Sequence, residues 1–212
     1  IAQNFEKQTG VSTRLTFGSS GNFFSQLQNG APSDVFLSGG LEYPQQMIKG
    51  GQGVADTLVE YASGRIVVWA RKDAGLDVQQ GVRMLTDPRV RKIAIANPEH
   101  APYGLAARQA LESKQLWEAV KEKIIFGENV AQAFQFAETG NVDAAIVAQS
   151  LATRPEGRAI PVDPAAHAPI DQTLCILRRS QQPEACRQFV EFLLSAEGRA
   201  ILQRYGFVVE RK

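Results

Sequence analysis

Three short segments carry groups that could bind an anion without a positively charged side chain. Each follows a predicted strand, is rich in small or turn-forming residues and opens a predicted helix: Gly18–Gly21, Asn97–Gly104 and Gly127–Val130. A helix N-terminus presents unpaired N–H groups and partial positive charge to a ligand. None of the three segments contains Lys or Arg. An anion held there would therefore be bound by neutral donors, namely the hydroxyls of Ser19 and Ser20 and several backbone N–H groups.

Each segment also has a purely structural interpretation. The Gly-Ser-Ser-Gly run is compatible with a turn followed by a helix N-cap, and Asn97-Pro98 is a common start of a turn. Asn129 is a normal N-cap for a helix beginning at Val130. In open α/β sheets, ligands bind outside the carboxyl ends of the strands, which is where these loops are expected. Spacing alone leaves open whether the three loops converge.

A catalytic interpretation of these residues is weaker. Ser20 has Gly18 two residues before it but Asn22 two residues after it, so it lacks the Gly-x-Ser-x-Gly pattern of a nucleophilic serine. His100 stands beside Glu99 in a loop, where a structural or solvent-exposed role is expected. A hydrolase that uses Ser20 would have no recognisable partner base.

Metal and cofactor chemistry have little support. The chain has two cysteines and two histidines, with no Cys-x-x-Cys or His-x-x-x-His spacing. No Walker or dinucleotide glycine motif occurs, so no cofactor is predicted. Cys175 falls in a predicted strand and Cys186 in the helix that follows. A disulfide between them and two buried free thiols are both open.

Composition and charge exclude several classes of protein. The 212 residues fit one large domain or two small ones. The 23 Lys and Arg against 22 Asp and Glu give a net charge of +1, which argues against a strongly basic nucleic-acid binder. The longest apolar runs, such as Ile66–Ala70 and Ala144–Ala148, are about five residues, far short of the ~18 that span a bilayer.

Strands and helices are predicted to alternate along the chain, which indicates an α/β fold with a mainly parallel sheet. Predicted strands are Val11–Phe17, Asp34–Ser38, Arg65–Ala70, Lys92–Ala96, Lys123–Phe126, Ala144–Ala148 and Thr173–Leu177. Predicted helices are Ile1–Gln8 (ended by Gly10), Asn22–Gln28, Pro44–Lys49, Gly104–Ser113, Trp117–Lys123, Val130–Glu138, Pro183–Leu194 and Ala196–Tyr205. Arg154–Pro169 contains four prolines and is predicted to be an exposed loop.

Longer strings around these loops resemble a known family. They are Phe17-Gly18-Ser19-Ser20-Gly21, Asn29-Gly30-Ala31-Pro32-Ser33-Asp34-Val35-Phe36-Leu37-Ser38 and Ile95-Ala96-Asn97-Pro98-Glu99-His100-Ala101-Pro102-Tyr103-Gly104. Together with the closing Arg204-Tyr205-Gly206-Phe207, they are similar to the periplasmic molybdate-binding proteins of ABC importers. The third string is the most specific, and the similarity runs through nearly the whole chain.

The resemblance implies a two-lobed periplasmic-binding-protein fold of type II, with hinged lobes around a central oxyanion cleft. The first lobe would comprise 1–64 plus 171–212 and the second 65–170, with hinges near Gly64-Arg65 and Ile170-Asp171. The family begins with a strand and a ligand loop that precede the first helix. This chain starts inside that helix, so either the strand and its ligand loop precede the sequence given, or the first lobe lacks them.

The resemblance also implies the binding residues. The second serine of the first loop, Ser20, would give its hydroxyl and N–H to the oxyanion, with Ser19 beside it. Tyr103 and Val130 would each give a backbone N–H. Some relatives add a tyrosine hydroxyl at the position of Ala148, so that donor is absent here. Another departure is Gly39-Gly40, where many relatives carry Ala-Asp.

The implied function is transport without catalysis. The protein is expected to bind molybdate or tungstate, so that molybdenum is held as an oxyanion and not as a cation, and to deliver it to an ABC importer permease. It would act as a monomer in the periplasm, or tethered outside the membrane in a Gram-positive-type host, without a cofactor, nucleic acid or a membrane span. The alternative is the effector-binding module of a transcriptional regulator, which shares the same fold.

Overall fold

The computed structural model describes residues 1–209 and divides the chain into two compact units. One unit contains Ile1–Ser63 and the chain from Asp171 onward, and the other contains Gly64–Ile170. The last three residues of the predicted first lobe, 210–212, lie outside the described residues. No helix among the described residues is both long and apolar enough to cross a membrane.

The secondary structure alternates between helices and strands. The helices are α1 (Ala2–Thr9), α2 (Ser20–Gln28), α3 (Glu42–Lys49), α4 (Pro102–Ser113), α5 (Trp117–Val120), α6 (Val130–Glu138), α7 (Pro183–Leu194) and α8 (Ala196–Arg204). The strands are β1 (Val35–Ser38), β2 (Val59–Gly64), β3 (Ile66–Arg71), β4 (Ile93–Ala96), β5 (Ile124–Gly127), β6 (Ala144–Ala148), β7 (Gly157–Pro161) and β8 (Ile170–Ile176). Short 3₁₀ segments connect several of them, and within Val78–Thr86 two such segments are separated at Gly81, whose φ of 58° and ψ of −138° are not helical.

The first unit is built on a three-stranded sheet in the order β1-β8-β2. Strand β8 is the central strand and runs antiparallel to β1, with Ser38 opposite Thr173. Phe36 and Leu174 are buried on these strands, because each lies under a layer of helices. The central position of β8 places its polar residue Thr173 in the interior, where the side chain is 0% exposed.

The second unit contains a five-stranded sheet in the order β5-β4-β6-β3-β7. Strands β5, β4 and β6 are parallel, whereas β3 runs antiparallel to both β6 and β7. The prediction of an α/β fold is confirmed, but the prediction of a mainly parallel sheet is wrong, because the five-stranded sheet is mixed and β1 pairs with β8 antiparallel. In the five-stranded sheet, helices α4 and α5 connect β4 to β5, and α6 connects β5 to β6, as parallel strands require.

Two predictions of secondary structure are wrong. Val11–Phe17 alternates like a strand, yet no part of it is a strand, and Leu15 and Phe17 are 54% and 82% exposed. A strand needs a neighbour for its backbone groups, and no described strand pairs with this segment. Conversely, the predicted loop Arg154–Pro169 contains β7, whose Pro161 is tolerated because β7 lies at the sheet edge.

Helix boundaries matter for the candidate site. Helix α6, strand β6 and helix α7 have the predicted bounds, and Gly10 ends α1 in the left-handed conformation with a φ of 73°. By contrast, α2 and α4 begin two residues earlier than predicted, at Ser20 and Pro102. As a result, Ser20 and Tyr103 lie inside the first turns of their helices instead of in the preceding loops.

Candidate functional site

The first candidate loop places two buried serines at the start of α2. Ser19 is the N-cap, with extended backbone, and its Oγ accepts a 3.4 Å hydrogen bond from the N–H of Asn22. Ser20 is the first residue of the helix. Both serines are largely removed from solvent, at 4% and 8% exposure. The structural interpretation as an N-cap therefore holds for Ser19, whereas Ser20 occupies a different position.

The hydroxyl oxygen of Ser20 accepts a hydrogen bond from the backbone directly after β1. Its Oγ accepts a 3.1 Å hydrogen bond from the backbone N–H of Gly39, which follows β1. A serine hydroxyl has one proton to donate and two lone pairs to accept with. The bond from Gly39 occupies one of the lone pairs and leaves the Ser20 proton free to be donated. This arrangement is compatible with a hydroxyl that donates to an anion.

Sequence reasoning missed two further hydroxyls in the same unit. Ser38 and Thr173 face each other across β1 and β8, at 3% and 0% exposure. Thr173 Oγ1 donates a 2.8 Å hydrogen bond to the carbonyl of Gly40, and the N–H of Gly40 donates to Ser38 Oγ at 3.3 Å. The sequence signal for them is a hydroxyl-bearing residue within each of two predicted strands, Asp34–Ser38 and Thr173–Leu177.

The second and third candidate loops leave neighbouring strands of the other unit. Strands β4 and β5 are parallel, with Ala96 opposite Gly127 at their carboxyl ends. The N–H of Asn97 donates a 2.8 Å hydrogen bond to the carbonyl of Gly127, which ties the two loops together. The structure therefore brings the helix starts that carry Tyr103 and Val130 to the carboxyl ends of two neighbouring strands, β4 and β5.

Glycine permits the close approach of both helix starts to these strands. A Cβ on Gly104 would lie 2.1 Å from the carbonyl oxygen of Ala96, and one on Gly127 would lie 2.7 Å from the backbone nitrogen of Ala133. Neither distance is compatible with a real Cβ contact. Helix α4 begins with Pro102 at its first position, so Tyr103 occupies the second position of the helix, with its side chain partly buried against the core.

Helix α6 has well-formed N-terminal capping. Asn129 Oδ1 accepts a 3.0 Å hydrogen bond from the N–H of Gln132, and Gln132 Oε1 accepts one of 2.7 Å from the N–H of Glu128. Val130 is the first residue of this helix. The capping bonds use the N–H groups on either side of Val130, and they orient the helix start that carries it.

The candidate loops are electrostatically neutral or negative. The hydroxyls and amides described above are uncharged, and the carboxylates of Glu99 and Glu128 in the second and third loops are exposed to solvent. Any attraction for an anion must therefore come from hydrogen-bond donors and from the partial positive charge of the helix starts. Ala148 ends β6, buried at 2% exposure, and supplies no hydroxyl at that position.

The two cysteines are separate free thiols in the structure. Cys175 is 0% exposed and Cys186 is 5% exposed. Burial raises the pKa of the Cys175 thiol to about 11 and also raises the pKa of Cys186. Cys186 Sγ lies 3.4 Å from Ser180 Oγ. Within residues 1–209, no group of three or more His, Cys, Asp or Glu side chains is arranged to hold a metal ion.

Comparisons with known proteins agree with this architecture. Residues 1–208 match the family of bacterial extracellular solute-binding proteins. The molybdate-binding protein ModA of Azotobacter vinelandii is 37% identical, covering 98% of this chain and 83% of the relative, and that of Rhodobacter capsulatus is 33% identical, covering 99% and 82%. The solved structure of the Azotobacter vinelandii periplasmic molybdate-binding protein has a TM-score of 0.92 and 30% identity, covering 99% of this chain and 93% of that one.

The fold is thus that of the periplasmic binding proteins, with two sheets in two α/β units. The chain belongs to the family of bacterial extracellular solute-binding proteins. The resemblance to periplasmic molybdate-binding proteins that the sequence motifs indicated is confirmed.

Proposed function

We propose that this protein binds molybdate or tungstate and delivers it to the permease of an ABC importer. The observation that carries the proposal is the buried Ser20 hydroxyl at the start of α2, whose oxygen accepts from Gly39 so that its proton is left to donate. The names of the relatives from Azotobacter vinelandii and Rhodobacter capsulatus support molybdate as the ligand. They also favour transport over the effector module of a regulator.

The donors in this proposal are all neutral. Ser19 and Ser20 supply hydroxyls, Ser20 adds its backbone N–H, and Tyr103 and Val130 supply backbone N–H groups at the starts of α4 and α6. Charge-assisted hydrogen bonds from such donors to an anion are about twice as strong as neutral ones. The two lobes of the binding protein would be 1–64 plus 171–212 and 65–170, with hinges near Gly64-Arg65 and Ile170-Asp171.

The remaining features of the proposal follow from the transport role. The protein carries its ligand without transforming it, acts as a monomer, and works in the periplasm or tethered outside the membrane. Molybdate, tungstate and sulfate all carry a charge of −2, and neutral donors respond to each in the same way. Discrimination of molybdate and tungstate from sulfate would therefore come mainly from the size of the anion.

Thermal unfolding and calorimetry with sodium molybdate, tungstate and sulfate test this function. A ligand that binds only the folded state stabilises it by about 2.7 kcal/mol at 100 times its dissociation constant. We expect molybdate and tungstate to raise the melting temperature more than sulfate, with sodium chloride at equal ionic strength as the control. The absence of a shift with all three oxyanions at millimolar concentration would contradict the proposal.

Uptake measurements distinguish the transport role from the regulator. If the protein serves an importer, deleting its gene should abolish high-affinity uptake of radiolabelled molybdate, and a plasmid copy should restore it. An effector module of a regulator would instead alter transcription of its target genes. Normal uptake in the deletion strain would contradict the transport role.

A further inference from the structure

Hydrogen bonds fix the backbone on both sides of Val130 at the start of α6. Asn129 Oδ1 accepts from the N–H of Gln132 at 3.0 Å, and Gln132 Oε1 accepts from the N–H of Glu128 at 2.7 Å. The carbonyl of Asn129 accepts the first bond of the helix, 3.1 Å from the N–H of Ala133. In the part of the chain that the structure describes, no group accepts from the N–H of Val130. That N–H is therefore held by its neighbours and left to donate to a ligand.

Gln132 is the side chain that joins this helix to the loop before it. Asn129 bonds within the first turn of the helix, whereas Gln132 reaches back past the cap to the loop residue Glu128. The loop is tight, since a Cβ on Gly127 would lie 2.7 Å from the backbone of the helix. The carbonyl of Gly127 also accepts a 2.8 Å bond from the N–H of Asn97. The loop is thus anchored to the helix on one side and to the neighbouring loop on the other.

The chemical type of Gln132 suits an anion site. Glu and Gln both serve at the third position of a capped helix, and Glu adds a favourable interaction with the partial positive charge of the helix start. A carboxylate at that position would also repel a divalent anion bound at the same helix start. Gln132 is half-buried and accepts the hydrogen bond without adding charge.

We propose that Gln132 is a positioning residue for anion binding, which holds the Val130 N–H toward the ligand and adds no negative charge. It acts through the N–H of Glu128, because fixing that residue fixes the loop that leads into Val130. The inference rests on the proposed function, since it requires the Val130 N–H to donate to the bound oxyanion. Gln132 itself need not touch the ligand.

The positioning part of the proposal is tested through the Val130 N–H, which Val130→Pro removes. Proline is tolerated at the first position of a helix, and α4 and α7 of this protein begin with Pro102 and Pro183. Asn129 already has the extended backbone that a residue before proline favours, with a φ of −151° and a ψ of 172°. The variant should therefore fold, which circular dichroism checks.

Calorimetry with sodium molybdate on the full chain then measures a double-mutant cycle. We expect Gln132→Ala to weaken binding about three- to tenfold, the range of one ordinary hydrogen bond. In the Val130→Pro background, Gln132→Ala should change the affinity by less than about twofold, because the effect passes through the missing N–H. A residue that only stabilises the helix would instead change the affinity equally in both backgrounds.

The charge part of the proposal is tested by Gln132→Glu, which keeps the acceptor. The melting temperature of the ligand-free protein should be kept or raised, as for a normal capping box. Molybdate binding should nevertheless weaken about three- to tenfold at low salt, and the loss should shrink as sodium chloride screens the added charge. Gln135→Glu adds the same charge at an exposed position further along α6 and should weaken binding by less than about twofold.

The outcomes are distinguishable. Wild-type affinity in Gln132→Ala, or an equal loss with and without the Val130 N–H, overturns the positioning role and leaves the proposed function intact. Wild-type affinity in Gln132→Glu at low salt overturns the requirement for a neutral acceptor. If Gln132→Ala does not fold, Gln132→Met keeps the length of the side chain without the amide, and the same cycle applies. A wild-type protein that binds no oxyanion overturns both the inference and the proposed function.

Discussion

Trp69 of β3 and Phe134 of α6 pack edge to face, with ring centroids 5.3 Å apart and ring planes at 73°. Phe134 lies one helical turn after Val130, and both aromatic side chains are buried. The contact joins the helix to β3, an inner strand of the five-stranded sheet. It therefore helps to determine where the start of α6, with its backbone N–H groups, is held.

Phe134→Ala should lower the free energy of unfolding by about 3–5 kcal/mol, because it leaves a cavity against the indole of Trp69. Urea denaturation measures the loss. The matched control is Phe126→Ala on the edge strand β5, where the side chain is 50% exposed. This change should cost much less, and equal losses at the two positions would show that the aromatic contact contributes little.

Ser20→Ala should weaken molybdate binding about ten- to a hundredfold, the equivalent of one hydrogen bond from a neutral donor to a charged acceptor. The fold should survive, because Ser19 and not Ser20 caps α2. Calorimetry measures the affinity, and circular dichroism checks the helix content. Ser25→Ala makes the same change on an exposed turn of the same helix and should bind like the wild type.

Two substitutions at Tyr103 separate its side chain from its backbone. Tyr103→Phe should bind molybdate almost normally, since the N–H remains. Tyr103→Pro should bind at least about tenfold more weakly because proline has no N–H. Proline is tolerated in the first turn of a helix, but it restricts Pro102 before it, so a thermal melt must accompany the titration. A large loss in Tyr103→Phe would instead make the phenol hydroxyl a ligand.

Gly104→Ala should destabilise the second unit by about 1–3 kcal/mol, the usual cost of forcing an extra methyl group into a packed region. The new Cβ would lie 2.1 Å from the carbonyl oxygen of Ala96, so the start of α4 must move away from β4. Molybdate affinity should fall with it. Leu105→Ala, at a neighbouring residue that is 45% exposed, is the control and should leave both stability and affinity nearly unchanged.

Thiol titration tests the state of the cysteines. With the pKa of Cys175 raised to about 11, only about one thiol in a thousand is ionised at pH 8, and the thiolate is the reactive form. The native protein should therefore react slowly with Ellman's reagent, and faster as the pH rises toward 11. Unfolding in guanidinium chloride without a reductant should release two reactive thiols. Finding none would reveal a disulfide between Cys175 and Cys186.

The sequence alone determined the local features of the candidate site. The bounds of α6 and β6 were predicted correctly because an N-cap at Asn129, a helical period and a continuous apolar run are all encoded within a few residues. The three loops were found in the same way, since turn-forming residues next to apolar segments mark where strands end and helices begin.

Tertiary structure decided what depends on distant partners. Val11–Phe17 has a strand pattern but no described strand beside it, whereas β7 is a strand despite Pro161 because β3 supplies the ladder. The direction of each strand, and with it the mixed five-stranded sheet, depends on how the strands are connected, which hydrophobic periodicity does not show. The bonds from Thr173 to Gly40 and from Gly39 to Ser20 span 133 and 19 residues. Hydrogen bonds across such separations form only when the fold brings the two residues together.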